Sequence, residues 1–169
     1  MAEKHAVVRL DNMSGTKDGS LLKSVKVYKS DAAVAIDNAQ LVVLGDREGR
    51  EVYKATAPVA ASKVSDLVLI ASEELFYDET RTHYLTEWVN EAGSICRGYK
   101  LHNGDIFSAT AEAFNEAPAV GKFVGFAADD TKIQIQAAAD DKTFGKIASS
   151  EKVGFGDGAY EYFEIDVAL

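Results

Sequence analysis

Apolar and polar residues alternate in short runs along this chain. Turn-forming residues interrupt the runs at roughly 8–12-residue intervals, the spacing of a β-sandwich or barrel. Residues 6–10 predict a first strand. Residues 11–20, dense in Asp, Asn, Ser and Gly, predict an exposed loop. Residues 22–28 alternate only in part and predict an edge strand or an extended arm, with lysines on one side discouraging pairing with other chains. Further strands are predicted at 33–36, 41–44 and 51–56. The unbroken apolar run Leu67, Val68, Leu69, Ile70 reads as a strand buried on both faces.

Residues 80–93 carry the only helical signal. Thr80 caps the predicted turn, Tyr84, Leu85, Trp88 and Val89 share one face, and Gly93 ends it. Residues 94–101 then alternate cleanly. His102-Asn103-Gly104-Asp105 has asparagine–glycine at its centre, a hairpin signal that makes 106–110 the return strand. The last third predicts strands at 122–126, 132–136, 144–148, 153–155 and 161–168, with a turn at 154–158 before the last. The expected fold is mainly β: one domain, a barrel or sandwich-like body over residues 36–169, at most one or two short helices, and an N-terminal strand and arm over residues 1–35.

At 169 residues the chain is long enough to bury a core without a disulfide. Its single cysteine, Cys96, cannot form an internal bridge and points to a reducing compartment. The N-terminal residues lack the apolar stretch of a secretory signal, and no apolar run reaches bilayer-spanning length, so no membrane is expected. A net charge of −9 opposes direct nucleic-acid binding. That charge is uneven. Residues 1–60 hold nine basic and eight acidic side chains; residues 61–169 hold nine and nineteen. This division suggests a near-neutral docking face and an acidic face toward water.

No pattern of catalytic chemistry emerges. Cys96 alternates with Ile95 and Arg97 as a core residue does. No Gly-x-Ser-x-Gly elbow occurs, and Ser94 and Ser108 have no base nearby in sequence. His5, His83 and His102 are too scattered for metal-ligand spacing. Asp78, Glu79 and His83 read as a helix start, and the pairs Asp129–Asp130 and Asp140–Asp141 as solvated turns. The acids Glu73, Glu74, Asp78, Glu79, Glu87 and Glu91 single out no pair for sugar hydrolysis. The Gly154–Gly158 stretch lacks the helix and lysine of a phosphate cradle. Phe76, Tyr77, Tyr84 and Trp88 fill the core, anchor an interface or stack on a sugar. No enzyme, cofactor or metal is therefore expected.

Several phrases stand together: Tyr77-Asp78-Glu79, Trp88-Val89-Asn90-Glu91-Ala92-Gly93, and Arg97 through Ser108. Glu51-Val52-Tyr53-Lys54-Ala55 precedes them, and Val120-Gly121-Lys122-Phe123-Val124 and Phe144-Gly145-Lys146-Ile147 follow. Over residues 36–150 this series resembles the small head-associated proteins of tailed bacteriophages, the decoration or cement subunits. The resemblance implies a structural virion protein on the capsid surface, assembled in host cytoplasm, with the major capsid protein lattice as partner and a homo-oligomer on that lattice. The capsid-docking candidates are Lys23, Lys26 and Lys29 on the early arm, with Trp88 and Arg97. The alternatives are a tail-tube or head-completion protein and a carbohydrate-binding module.

Overall fold

A computed structural model describes residues 4–156 and 159–169. It is mainly β, as the alternation predicts. Among the described residues twelve strands form two sheets: β1 (Val8–Asn12), β2 (Leu22–Lys29), β3 (Ala32–Ala33), β4 (Leu41–Arg47), β5 (Val52–Thr56), β6 (Leu67–Ile70), β7 (Cys96–Lys100), β8 (Ile106–Thr110), β9 (Phe123–Gly125), β10 (Gln134–Gln136), β11 (Thr143–Val153) and β12 (Tyr160–Val167).

The first sheet runs β1-β8-β12-β11-β9-β10. The second runs β3-β2-β5-β4-β6-β7, and a further pairing joins β7 back to β2, leaving β3 outside. Strands β2, β5, β4, β6 and β7 therefore close into a five-stranded ring. All of its pairings are antiparallel except β2–β5, which is parallel.

Strands β4 and β6 are the wall shared by two cores. Along β6, Leu67 and Leu69 pack toward the first sheet, among Phe107, Phe144, Ile147 and Ile165. Val68 and Ile70 point the other way, into the ring, beside Val25, Val27, Val42, Ala55 and Cys96. Strand β4 divides identically, with Leu41 outward and Val42 inward. Successive side chains of a strand face opposite sides, so a strand with hydrophobic cores on both sides must be apolar throughout. All four side chains of β6 are fully buried. Each such burial stabilises the fold by roughly 1.5–3 kcal/mol. Gly98 on β7 is required by the ring's narrowness: a Cβ there would lie 2.5 Å from Val68 Cγ1.

The segment expected as an edge strand or arm is instead a stave of the ring. Strand β2 pairs with β5 along Ser24–Val27 and with β7 along Leu22–Val25. Its lysines do not all share a side, because Lys26 is three residues from both Lys23 and Lys29 on a strand of period two. Likewise β1 is built into the first sheet against β8, so the described part of residues 1–35 does not stand off from the remainder.

Three other expectations change. Residues 80–93 form no α-helix, only a 3₁₀ turn at Leu85–Glu87. The turn at 102–105 forms, with Gly104 at a φ of +88°, but joins no hairpin. Strand β7 pairs with β6 and β2, while β8 pairs with β1 and β12. The turn's polar groups are engaged elsewhere: Gly104 N–H donates to the Val167 carbonyl, and the buried Asp105 carboxylate accepts from the Ser14 and His102 amides at 2.7 and 2.8 Å. These bonds carry the chain from one sheet into the other. Finally, the short strand expected at 144–148 extends to Val153 as the eleven-residue β11, and of the strand expected at 153–155 only Val153 is in a strand. It pairs with β12 as far as Val153–Tyr160. Part of the turn expected at 154–158 lies outside the described residues.

Candidate functional site

Between β6 and β7 the chain makes a long irregular excursion, residues 71–95, and this segment builds the principal cleft. Loops of this length without regular structure are uncommon inside compact bodies and are disproportionately functional. Here the excursion is held by polar side chains. Asn38, fully buried, donates from Nδ2 to the Ser72 carbonyl at 2.9 Å and to Glu74 Oε1 at 2.6 Å. Its Oδ1 accepts from the Ser72 amide at 3.0 Å. At the far end, Asn90 pairs with Ile36 through the backbone and also donates from Nδ2 to the Ile36 carbonyl at 3.0 Å.

The middle of the loop has its own bracing. The His83 ring stacks on Phe76 with centroids 4.4 Å apart. Its two nitrogens face the Asp78 carbonyl at 2.9 Å and Glu87 Oε2 at 3.3 Å. Arg81 bridges to Glu87 at 3.0 Å. Trp88 Nε1 donates to the Leu75 carbonyl at 3.2 Å. The Thr80 hydroxyl and amide both donate to Asp78 and hold its carboxyl below the usual carboxylate range.

The cleft beneath this loop has a volume of about 930 Å³. The loop contributes Leu75, Tyr77, Asp78, Trp88 and Ile95 to its lining, and the β2–β7 seam contributes Lys23 and Arg97. Arg97 is paired across the cleft with Glu73 at 3.0 Å, and Lys23 lies over the Tyr53 ring at 5.9 Å. Cys96, also on this wall, points into the ring, and burial pushes its thiol above the ordinary value.

Of the five expected docking residues, the structure brings together Lys23, Trp88 and Arg97. Lys23 and Arg97 come to adjacent strands of the cleft lining because Lys23 pairs with Gly98 and Ser24 with Arg97. Lys26 points away and pairs with Glu48 at 3.6 Å. Lys29 is exposed at the end of β2, opposite Ala32. The acidic pairs close turns: Asp130 accepts from the Lys132 amide and Gln134 Nε2, and Asp140 from the Lys142 amide. Among the described residues no group of three or more His, Cys, Asp and Glu is placed to hold a metal ion.

A second feature had no signal in the sequence. The Leu85 amide donates to Tyr160 Oη at 3.1 Å, which ties the cleft loop to the β11–β12 hairpin. The two tied elements carry exposed apolar side chains: Tyr84 and Leu85 on the loop, Val153 and Phe155 on the hairpin, with Phe155 98% exposed. Exposed apolar side chains of this size are the kind that contact surfaces use.

The architecture is thus a mainly β, two-sheet body carrying a cleft and an apolar end. No family model matches the chain, nor does any curated protein or solved structure. No helix among the described residues is long and apolar enough to cross a membrane.

Proposed function

We propose that this chain is a structural virion protein that decorates and stabilises the head of a tailed bacteriophage, binding the major capsid protein lattice. The observation that carries this reading is the apolar end, where Tyr84, Leu85, Val153 and Phe155 stand exposed on two tied elements. Aromatic and aliphatic anchors of this type dominate the energetics of protein contacts. The frame behind them is stiff: a closed ring has no free edge along its staves. Net charge of −9 keeps free subunits apart before they meet the lattice. The resemblance of the quoted sequence phrases to decoration subunits supports the same reading. The exposed Lys29, outside the cleft, supplies a positive contact.

The test is association with undecorated, expanded heads. Purified protein should co-sediment with them at a fixed copy number per capsomer and raise their resistance to heat or chelator. Absence of association at micromolar protein overturns the assignment. Spontaneous assembly of the free protein into rings or tubes supports a tail-tube or head-completion part instead.

A further inference from the structure

We infer that the cleft beneath the 71–95 loop is a recognition groove for an extended partner segment carrying basic side chains between apolar ones. This inference does not depend on the head assignment, whose contact surface is the apolar end.

The cleft's apolar content comes first. Leu75 and Ile95, near the two ends of the loop, are 56% and 58% exposed and both line the cleft. Trp88 is half-buried in the same lining, and its side chain's one polar atom is already committed to the Leu75 carbonyl. What the indole offers a ligand is therefore hydrocarbon surface. Tyr77, 92% exposed, stands beside it.

The charge comes second. Of the two cations that line the cleft, Arg97 is paired with Glu73, while Lys23 lies 5.9 Å over the Tyr53 ring, makes no ion pair among the described residues and keeps its charge. Glu51 and Glu91 line the same cleft and make no ion pair among the described residues. Asp78 joins them, its only ion-pair partner being His83 at 3.8 Å. Carboxylates left over around hydrocarbon select the occupant. An anionic segment is repelled, and a neutral one strips water from these groups without replacing its hydrogen bonds. A lysine or arginine replaces them with charge-assisted bonds. At about 930 Å³ the cleft lies near the top of the roughly 300–1,000 Å³ range of ligand sites, which suits an extended segment better than a single side chain.

The experiment measures fluorescence anisotropy of three fluorescein-labelled hexapeptides against the full chain: alternating Lys–Leu, Lys–Ser and Glu–Leu. The Lys–Leu peptide should bind saturably at one site, about tenfold or more tighter than either of the others. Trp88→Ala and the double variant Glu51→Lys/Glu91→Lys should each weaken it about tenfold. Glu116→Lys, in the connection before β9, should leave it unchanged. Glu51 and Glu91 are exposed, so the charge-reversed protein keeps its fold even where Trp88→Ala does not. Equal binding of the Lys–Leu and Lys–Ser peptides overturns the inference. So does a loss on Glu116→Lys as large as that on the double variant, which reduces binding to bulk charge. Displacement of the peptide by a neutral oligosaccharide such as chitohexaose assigns the cleft to sugar and overturns it as well.

Discussion

Asn90 Nδ2 donates to Asn38 Oδ1 at 3.2 Å, with both residues buried. Through this bond the two ends of the cleft loop are fastened to one another, because Asn38 holds Ser72 and Glu74 while Asn90 holds Ile36. Asn38→Ala should therefore leave the Asn90 amide and the Ser72 backbone without their buried partner. An unmade buried hydrogen bond costs about 1–3 kcal/mol, and the denaturation midpoint should fall accordingly. Hydrogen exchange over 71–95 should rise more than exchange in β11 and β12. A variant that loses stability evenly across both sheets would show that the asparagine pair does not control the loop.

Substitution of Gly98 tests the ring. A methyl group at this position meets Val68 inside a closed circle of strands, where neither side can retreat. Gly98→Ala should destabilise by about 1–3 kcal/mol, the range for overpacking a filled core. The companion change Val68→Ala should recover part of that loss, since it removes the atom in the way. Additive effects in the double variant would refute a direct clash.

The sheet-switching turn is testable at Asp105. Asp105→Ala removes the fully buried acceptor of two part-buried bonds, from the Ser14 and His102 amides, at a total cost of about 1–3 kcal/mol. Urea unfolding at neutral pH gives the number. A cost below about 0.5 kcal/mol, as for an ordinary surface site, would show that the carboxylate is not what holds the crossing.

Cys96 gives a pH signature. Burial favours the neutral thiol and raises its pKa in the folded chain above that of the unfolded chain. The resulting stabilisation is whole below the unfolded thiol value of about 8.5 and disappears as pH climbs through the higher folded one. The stability difference between the native protein and Cys96→Ala should thus narrow from pH 8 to pH 10, measured by denaturant unfolding under reducing conditions. A difference that stays constant across this window would remove burial as the cause.

Phe155 is the sharpest probe of the head assignment. It is exposed in the free chain, so Phe155→Ser should leave the unfolding midpoint within about 0.5 kcal/mol of native. Occupancy on expanded heads should drop several-fold at matched concentration. Undiminished occupancy would exclude this residue from the contact.

The positions of the strands were largely legible in the sequence, whereas their partners were not. The limits of β6 follow from its composition alone, since only a strand with a core on each side is apolar at every position. The 102–105 turn was legible for a similar local reason: Asn103-Gly104 supplies the positive φ. Turn chemistry does not decide what the flanking strands pair with, and here hydrogen bonds from Ser14 and Val167, remote in sequence, decide it. The helical reading of 80–93 failed because Tyr84, Leu85, Trp88 and Val89 mimic amphipathic spacing. Side-chain bonds from Trp88, His83 and Asn90 fix that segment in an irregular path. The cleft was legible only as separate residues. Lys23 and Arg97 become neighbours through the β2–β7 pairing that closes the ring, and nothing local to either residue announces it.

Ring closure also dictates an order of events during synthesis. Strand β2 is among the first to leave the ribosome, yet its second neighbour, β7, ends at Lys100. From that moment the five staves form a complete unit, while the sheet that covers their outer wall depends on β12, which ends at Val167. For that interval Leu41, Leu67 and Leu69 face solvent. A half-made chain is therefore a finished barrel with one greasy side, the stage at which chaperone capture or mispairing between nascent neighbours is most favoured.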